Sequence, residues 1–142
     1  MGKRSLLSSF SHPYGSRTVK RSMVAPLPVP CYTVGMFYTE SKDFTIRELA
    51  PGARTQLAFG EKLNISALEL EAHSVVPRHR HPHEQMGFVV SGEVEMGIGD
   101  KAKVLRKGDA YLVPSDVEHS ARTFSAPAVV LDVFSPPRED YR

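Results

Sequence analysis

Alternating apolar and polar positions predict β-strands along the segment from residue 44 to residue 135. Residues 93–98 alternate without interruption, residues 63–71 alternate in part, and residues 129–134 form a strongly apolar run. Successive side chains of a strand point to opposite faces, so this period of two is typical of half-buried strands. Three shorter runs lie between them, at residues 88–90, 103–106 and 110–113.

Turn-forming residues separate these runs and define the fold class. Ser91-Gly92 and Gly99-Asp100 follow two of the strands, and prolines stop the runs that end at residues 113 and 134. Many short strands at regular spacing, divided by Gly, Asp and Pro, favour a sandwich or a barrel. We find no long helical period and no internal repeat, and we predict an all-β domain.

The first 35 residues differ from the rest in pattern and charge. Residues 1–39 contain five basic residues and no Asp or Glu. This composition fits an organelle transit peptide, a flexible tail, or an overlong reading frame whose start is Met23 or Met36. An extended linker is predicted by Pro26, Pro28 and Pro30. We therefore predict a flexible basic leader and Pro-rich linker over residues 1–35, and a β-barrel domain over residues 36–142.

Composition narrows the class of protein. The chain has 142 residues, 41% of them hydrophobic and 24% charged, which is ordinary for a soluble globular domain. Its one cysteine, Cys31, excludes an internal disulfide framework and a multi-cysteine zinc site. No apolar run is long enough to span a membrane. The basic excess lies in the leader, so nucleic-acid binding is not expected. We expect a cytoplasmic protein without a membrane partner.

Three histidines in five residues are the strongest candidates for chemistry. His79 and His81 are two positions apart, so on a strand they face the same side and can reach one metal ion. Gln85 follows beyond a bend favoured by a proline, and its amide oxygen is a neutral ligand. His119 comes later, after another turn. Imidazoles with one oxygen ligand suit Zn, Fe, Ni, Mn or Cu, and we predict one divalent transition metal ion per chain.

Two neighbouring residues leave the ligand set open. Glu84 is adjacent to Gln85 and is an alternative oxygen ligand. His83 lies beyond the proline, and we expect it to be exposed or to support the ligands.

Met86, Met96 and Phe88 are expected in the core or lining a pocket, and Tyr111 is expected to pack inside the barrel.

The last strand carries a second group of candidates. A period of two places Val130, Asp132 and Phe134 on one face. A carboxylate within an apolar strand is costly unless it is paired, hydrogen-bonded or near a metal. Asp132 is thus either a proton-transfer group or the acceptor of a structural hydrogen bond. Arg138 either binds a substrate carboxylate or is solvated, and Phe134 and Met96 are expected to contact the substrate.

The histidine spacing resembles the two motifs of the cupin superfamily. The first motif is matched by His73, His79, His81, Gln85 and Gly92. The second is matched by Gly108, Pro114, Asp116, His119 and Thr123. The resemblance covers residues 44–135 and implies a single-domain cupin jelly-roll β-barrel.

This chain departs from the two motifs at four positions. His73 and Asp116 replace turn glycines, which both residue types tolerate because they adopt positive φ more readily than most. Thr123 replaces an asparagine, with little consequence for metal binding. Gln85 replaces a glutamate, so a bound metal keeps more of its positive charge and attracts anionic substrates.

The histidine segment and the ending Asp-Val-Phe-Ser-Pro-Pro-Arg together resemble small cupins of the pectin-degradation type. That group includes enzymes that ketonize 4,5-unsaturated uronates. The resemblance implies a metal held by three His and one Gln, with Asp132, Phe134 and Arg138 as catalytic residues. It also implies a homodimer and a small anionic substrate. Two other functions stay open: an Fe(II)-type dioxygenase, and a barrel that binds a small ligand without converting it.

Overall fold

A computed structural model describes residues 37–142, and the predicted leader lies outside the described residues. The described part contains ten strands and two single-turn 3-10 helices, Ser41–Asp43 and Glu139–Tyr141. The strands are β1 Thr45–Ala50, β2 Ala53–Phe59, β3 Asn64–Leu70, β4 Val75–His79, β5 Glu84–Ser91, β6 Glu93–Ile98, β7 Lys101–Arg106, β8 Ala110–Val113, β9 His119–Arg122 and β10 Ala128–Ser135. Neither of the two described helices has the length and apolarity needed to cross a bilayer.

The strands form two antiparallel sheets with the jelly-roll arrangement. One sheet has six strands in the order β1-β2-β3-β10-β5-β8, and the other has four in the order β4-β9-β6-β7. Strands distant in sequence are therefore neighbours: β10 lies between β3 and β5, and β9 lies between β4 and β6. The predicted all-β jelly-roll fold is confirmed.

The hydrophobic core lies between the two sheets. Leu70, Val89 and Val130 contribute from the six-stranded sheet, and Val94 and Met96 contribute from the other. Each comes from the inward face of a strand whose burial alternates, such as β10, where every second residue from Ala128 is buried. The period-two pattern of the sequence thus becomes one continuous apolar layer between the sheets.

The strand register corrects two predictions about the core. Met86 and Phe88 are 58% and 46% exposed, so they do not lie in the core, and the depression that they line is on the outer face of the sheet rather than in the barrel. In β5 the inward positions are Gln85, Gly87 and Val89, which places Met86 and Phe88 on the outer face. Continuous apolar runs do not show which face is buried, because both faces of this strand carry apolar residues.

Two turns adopt the backbone conformation expected from the sequence. His73 has φ of 61° and Asp116 has φ of 62°, in the left-handed region usually occupied by glycine. The backbone N–H of Asp116 donates to the carbonyl of His81 at 2.8 Å. This turn therefore fixes the loop that carries one of the predicted ligands.

Candidate metal centre

The three predicted histidine ligands meet between the two sheets. His79 ends β4 and His119 begins β9, and the two are directly paired across these antiparallel strands. His81 follows in the loop before β5. The ring nitrogens of the three histidines lie within 4.8 Å of one another, and the ring centroids of His79 and His119 are 4.2 Å apart. Three imidazoles this close form a cluster suited to a divalent metal ion.

Backbone hydrogen bonds set the orientation of each imidazole. In His79, His81 and His119 the Nδ1 atom lies 2.8, 3.1 and 2.9 Å from the carbonyl oxygen of a residue two positions away. A carbonyl only accepts, so each Nδ1 carries a hydrogen, and in the neutral form of a ring the free lone pair is on Nε2. Such outer partners fix the tautomer in which imidazole binds a metal.

Burial keeps two of these rings uncharged. Loss of solvent around His81 lowers its pKa to about 4, with further lowering from the positive charge of Arg138. Burial also lowers the pKa of His119 below its usual value. Both imidazoles are therefore neutral at pH 7, the form that coordinates a metal.

Gln85 adds an oxygen to the cluster. Its Oε1 lies 3.1 Å from Nε2 of His81, while its Nε2 donates to Oδ1 of Asp132 at 2.9 Å. Since Nε2 of His81 carries no hydrogen, two acceptors face each other with no proton between them. A cation bound by both atoms would resolve the conflict.

His119 supplies independent support for a bound cation. Its Nε2 is buried and has no hydrogen-bond partner among residues 37–142. An unpaired buried acceptor is costly, and burial leaves it without a water contact of its own. The donor set of three imidazoles and one amide oxygen therefore fits a divalent transition metal.

A buried carboxylate lies next to this cluster. Asp132 is on the inward face of β10, and its Oδ1 accepts hydrogen bonds from Gln85 and from the Tyr111 hydroxyl, the latter at 2.6 Å. Burial raises the pKa of Asp132 to about 6, although both hydrogen bonds act in the opposite direction. Burial and the adjacent carboxylate together raise the pKa of Tyr111 well above its usual value.

Arg138 is also buried, and the alternative that it is solvated is wrong. It is 7% exposed, and its guanidinium carbon lies 3.8 Å from the centre of the Tyr141 ring. Two guanidinium nitrogens contact the Asp140 carboxylate at 2.6 and 3.2 Å. The backbone N–H of Arg138 donates to Oδ1 of Asn64 at 2.8 Å. The arginine is therefore held in place at the edge of the cavity.

Seven of the eight predicted site residues line one small cavity of about 40 Å³, namely His79, Gln85, Met96, His119, Asp132, Phe134 and Arg138. The eighth, His81, contacts Gln85 as described above. A larger depression of about 450 Å³ shares His79 and Tyr141 with this cavity and is also lined by Arg47. The small cavity has room for an ion or a water, and the depression has room for a larger molecule.

Other site features were missed or left open by the sequence. Glu84 lies exposed on the outer face of β5, away from the histidine cluster, and His83 is half-buried. Tyr111 packs inside as expected, but its hydrogen bond to Asp132 was not anticipated. A buried tyrosine hydroxyl usually needs a hydrogen-bond partner. The expected burial of Tyr111 therefore already indicated that its hydroxyl has a polar partner inside the barrel.

Comparison with known proteins gives a consistent result. The cupin domain family model (Cupin_2) matches residues 67–134. The pectin degradation protein KdgF of Dickeya dadantii is 26% identical over 96 residues, which are 66% of this chain and 87% of that protein.

Two solved structures share the fold over most of the domain. KdgF from a Halomonas species has a TM-score of 0.67 and 28% identity, covering 75% of this chain and 97% of that one. An RmlC-like cupin from Shewanella frigidimarina has a TM-score of 0.68 and 28% identity, covering 76% and 97%. Residues 67–134 therefore match the cupin domain family, and the chain resembles the small cupins of the pectin-degradation type.

Proposed function

We propose that this protein is a metal-dependent isomerase or tautomerase acting on a small anionic sugar derivative, such as a 4,5-unsaturated uronate. The observation that carries the proposal is the position of Asp132. Its buried carboxylate shares a cavity with three histidines and is hydrogen-bonded to the amide that faces them. The similarity to two KdgF proteins supports the substrate class.

The residues of the cavity have two roles, proton transfer and substrate binding. A divalent ion, when bound by His79, His81, Gln85 and His119, polarises a carbonyl or hydroxyl oxygen. Asp132 accepts a proton from a substrate hydroxyl and returns it to an alkene carbon. For a cyclic 4,5-unsaturated uronate, the hemiacetal O–H bond and the ring C–O bond break, and the anomeric carbon and C5 each become C=O. The π pair of the C=C bond forms the new C–H bond at C4, so the composition of the substrate does not change.

Arg138 binds the carboxylate of the substrate. In the described structure its guanidinium holds the Asp140 carboxylate through two contacts, which is the bidentate geometry that arginine forms with carboxylates. A substrate carboxylate that replaces Asp140 would be fixed in the same way at the edge of the cavity. Phe134 and Met96 exclude water from the reacting atoms.

Turnover of a 4,5-unsaturated uronate by an Asp132→Asn variant tests this proposal. The variant keeps a hydrogen-bonding group of the same size, so we expect metal binding to persist while ketonization falls to the rate in buffer. The loss of ultraviolet absorbance of the unsaturated substrate measures the reaction. Glu84→Gln is the matched control, because Glu84 is exposed on the outer face and its substitution should leave the rate unchanged.

The alternatives give different results in the same assay. Retained turnover by Asp132→Asn would remove this residue from the mechanism. Oxygen consumption with iron, absent with zinc, would contradict the isomerase and favour a dioxygenase. A ligand-dependent rise in melting temperature without product would favour a barrel that only binds its ligand.

We also propose that the chain forms a homodimer through the outer face of strands β10, β5 and β8. The outward residues of these three strands are almost all uncharged, and exposed apolar side chains among them are Met86, Phe88, Val90, Leu112 and Leu131. An apolar sheet face of this kind usually marks an interaction surface. A second copy presents the same face, on which Glu84 is the one charged outward residue of the three strands, so few like charges oppose their contact.

A further inference from the structure

One level of the six-stranded sheet carries a row of residues that faces the cavity. The strand register pairs Ser66 with Asp132, Asp132 with Gly87, and Gly87 with Tyr111. Tyr111 and Asp132 are thus separated by the whole width of β5. Their side chains nevertheless meet, with the Tyr111 hydroxyl 2.6 Å from Oδ1 of Asp132.

Gly87 makes this contact across the strand possible. A Cβ atom placed on Gly87 would overlap the ring carbons and the hydroxyl of Tyr111. The tyrosine ring therefore lies directly over the glycine and extends across β5 to Asp132. Glycine within a strand lowers stability, and its presence here marks a close approach by another group.

The same carboxylate oxygen determines which way the Gln85 amide points. Oδ1 of Asp132 accepts from both Tyr111 and Nε2 of Gln85. Because the amide nitrogen lies on the Asp132 side, the amide oxygen lies on the side of the histidine cluster, 3.1 Å from Nε2 of His81.

The opposite orientation of the Gln85 amide would compete with a metal ion for the lone pair of His81. Rotated by half a turn, Gln85 would present its NH₂ group to the lone pair of His81 Nε2 and form an ordinary hydrogen bond. That arrangement satisfies His81 in the metal-free protein but places hydrogens where a cation must bind, and it turns the amide oxygen toward Oδ1 of Asp132. Selecting the amide orientation is therefore a requirement of a glutamine ligand, which a glutamate ligand does not have.

We propose that Tyr111 is a positioning residue that acts through Asp132 to hold Gln85 in its metal-binding orientation. The proposal rests on the metal centre of the proposed function. By donating to Oδ1, the tyrosine hydroxyl fixes the carboxylate where it accepts from the amide nitrogen. Such outer hydrogen bonds typically change metal affinity by about 10- to 100-fold.

Titration of the metal-free protein with Co²⁺ and Zn²⁺ tests this role without reference to turnover. Tyr111→Phe retains the ring over Gly87 and removes only the hydroxyl. We expect its affinity for both ions to fall by about 10-fold or more, with a changed visible spectrum of the Co²⁺ form. In a Gln85→Ala background there is no amide to orient, so the same substitution should leave the affinity unchanged.

Three results would overturn the inference. Unchanged Co²⁺ affinity and spectrum in Tyr111→Phe would show that the hydroxyl does not position a ligand. An equal loss in the Gln85→Ala background would show that Tyr111 acts by another route. Absence of metal binding by the wild type would reject the metal centre itself, which is distinguishable from either result.

A second variant keeps the test valid if Tyr111→Phe does not fold. Gly87→Ala keeps the hydroxyl but displaces the ring, and should weaken Co²⁺ binding as Tyr111→Phe does. Unaltered binding by a folded Gly87→Ala protein would contradict the proposed contact across β5.

Discussion

At the scale of single residues, burial decides which groups of the cavity carry charge. Burial lowers the pKa of His81 and raises that of Asp132, so both shifts favour the neutral forms. As pH rises, the two shifts change the free energy of unfolding in opposite directions. Neutral His81 favours folding as pH rises, whereas the buried Asp132 opposes folding once it is ionised.

The raised pKa of Asp132 predicts a pH-dependent cost in the metal-free protein. Its folded pKa of about 6 exceeds the unfolded value of 3.8, so the native state binds more protons between these values. The contribution of Asp132 is most favourable below the unfolded pKa and is lost as pH rises through about 6. The free energy of unfolding, relative to Asp132→Asn, should fall by about 2 kcal/mol from about pH 4.5 to about pH 7.

Chemical denaturation of both proteins in the presence of a chelator measures this difference. The subtraction removes the titration of His81, which both proteins share. Parallel stability curves for the wild type and Asp132→Asn would contradict the assigned pKa shift of the carboxylate.

At the scale of elements, the turns are the features that the sequence predicted best. The positive φ of His73 and Asp116 followed from their alignment with motif glycines, and the structure confirms both. Strand positions were also predictable because alternation marks them directly. The face of Asp132 followed from its place two residues from Val130 and Phe134, which are both buried.

Contacts between strands were beyond the reach of the sequence. The strand order β10-β5-β8 brings Tyr111 and Asp132 together, and the sequence around neither residue indicates this order. The outward position of Phe88 likewise depends on which face of β5 the second sheet covers. The local sequence pattern determines that side chains alternate between the two faces of a strand. The packing of distant elements determines which of those faces is buried.

The turn at Asp116 gives an element-scale prediction. Valine is β-branched and unfavourable at φ of 62°, so Asp116→Val should destabilise the protein by about 1–2 kcal/mol. Asp116→Gly accommodates the same backbone and should change stability by less than about 1 kcal/mol. Thermal unfolding of the two variants tests the prediction. Equal stability of Asp116→Val and Asp116→Gly would contradict it, because the β-branched side chain would then have no cost at this positive φ.

At the scale of the whole molecule, the fold assembles the site from remote segments. Two antiparallel sheets place β4 beside β9, and this pairing brings His79 against His119. The six-stranded sheet supplies Gln85 and Asp132 from two adjacent strands. The His79–His119 pair and the proposed proton-transfer group thus come from opposite sheets and meet in the space between them.

The apolar outer face predicts the behaviour of the molecule in solution. Phe88→Glu places a charge within this face, at a side chain that is 46% exposed in the single chain. We expect the variant to be monomeric while its metal content stays unchanged, because Phe88 lies on the opposite side of β5 from Gln85. Light scattering after size-exclusion chromatography measures the mass. A wild type that is already monomeric would reject the proposed dimer.

We propose above that the three histidines and Gln85 bind one divalent metal ion. Elemental analysis of the purified protein, beside a variant with both His79→Ala and His119→Ala, tests it most directly. We expect near one equivalent of metal per chain in the wild type and none in the variant, with the element present indicating which chemistry the cavity supports. Absence of metal from the wild type, even after incubation with Zn²⁺, Fe²⁺, Ni²⁺, Mn²⁺ and Cu²⁺, would contradict it.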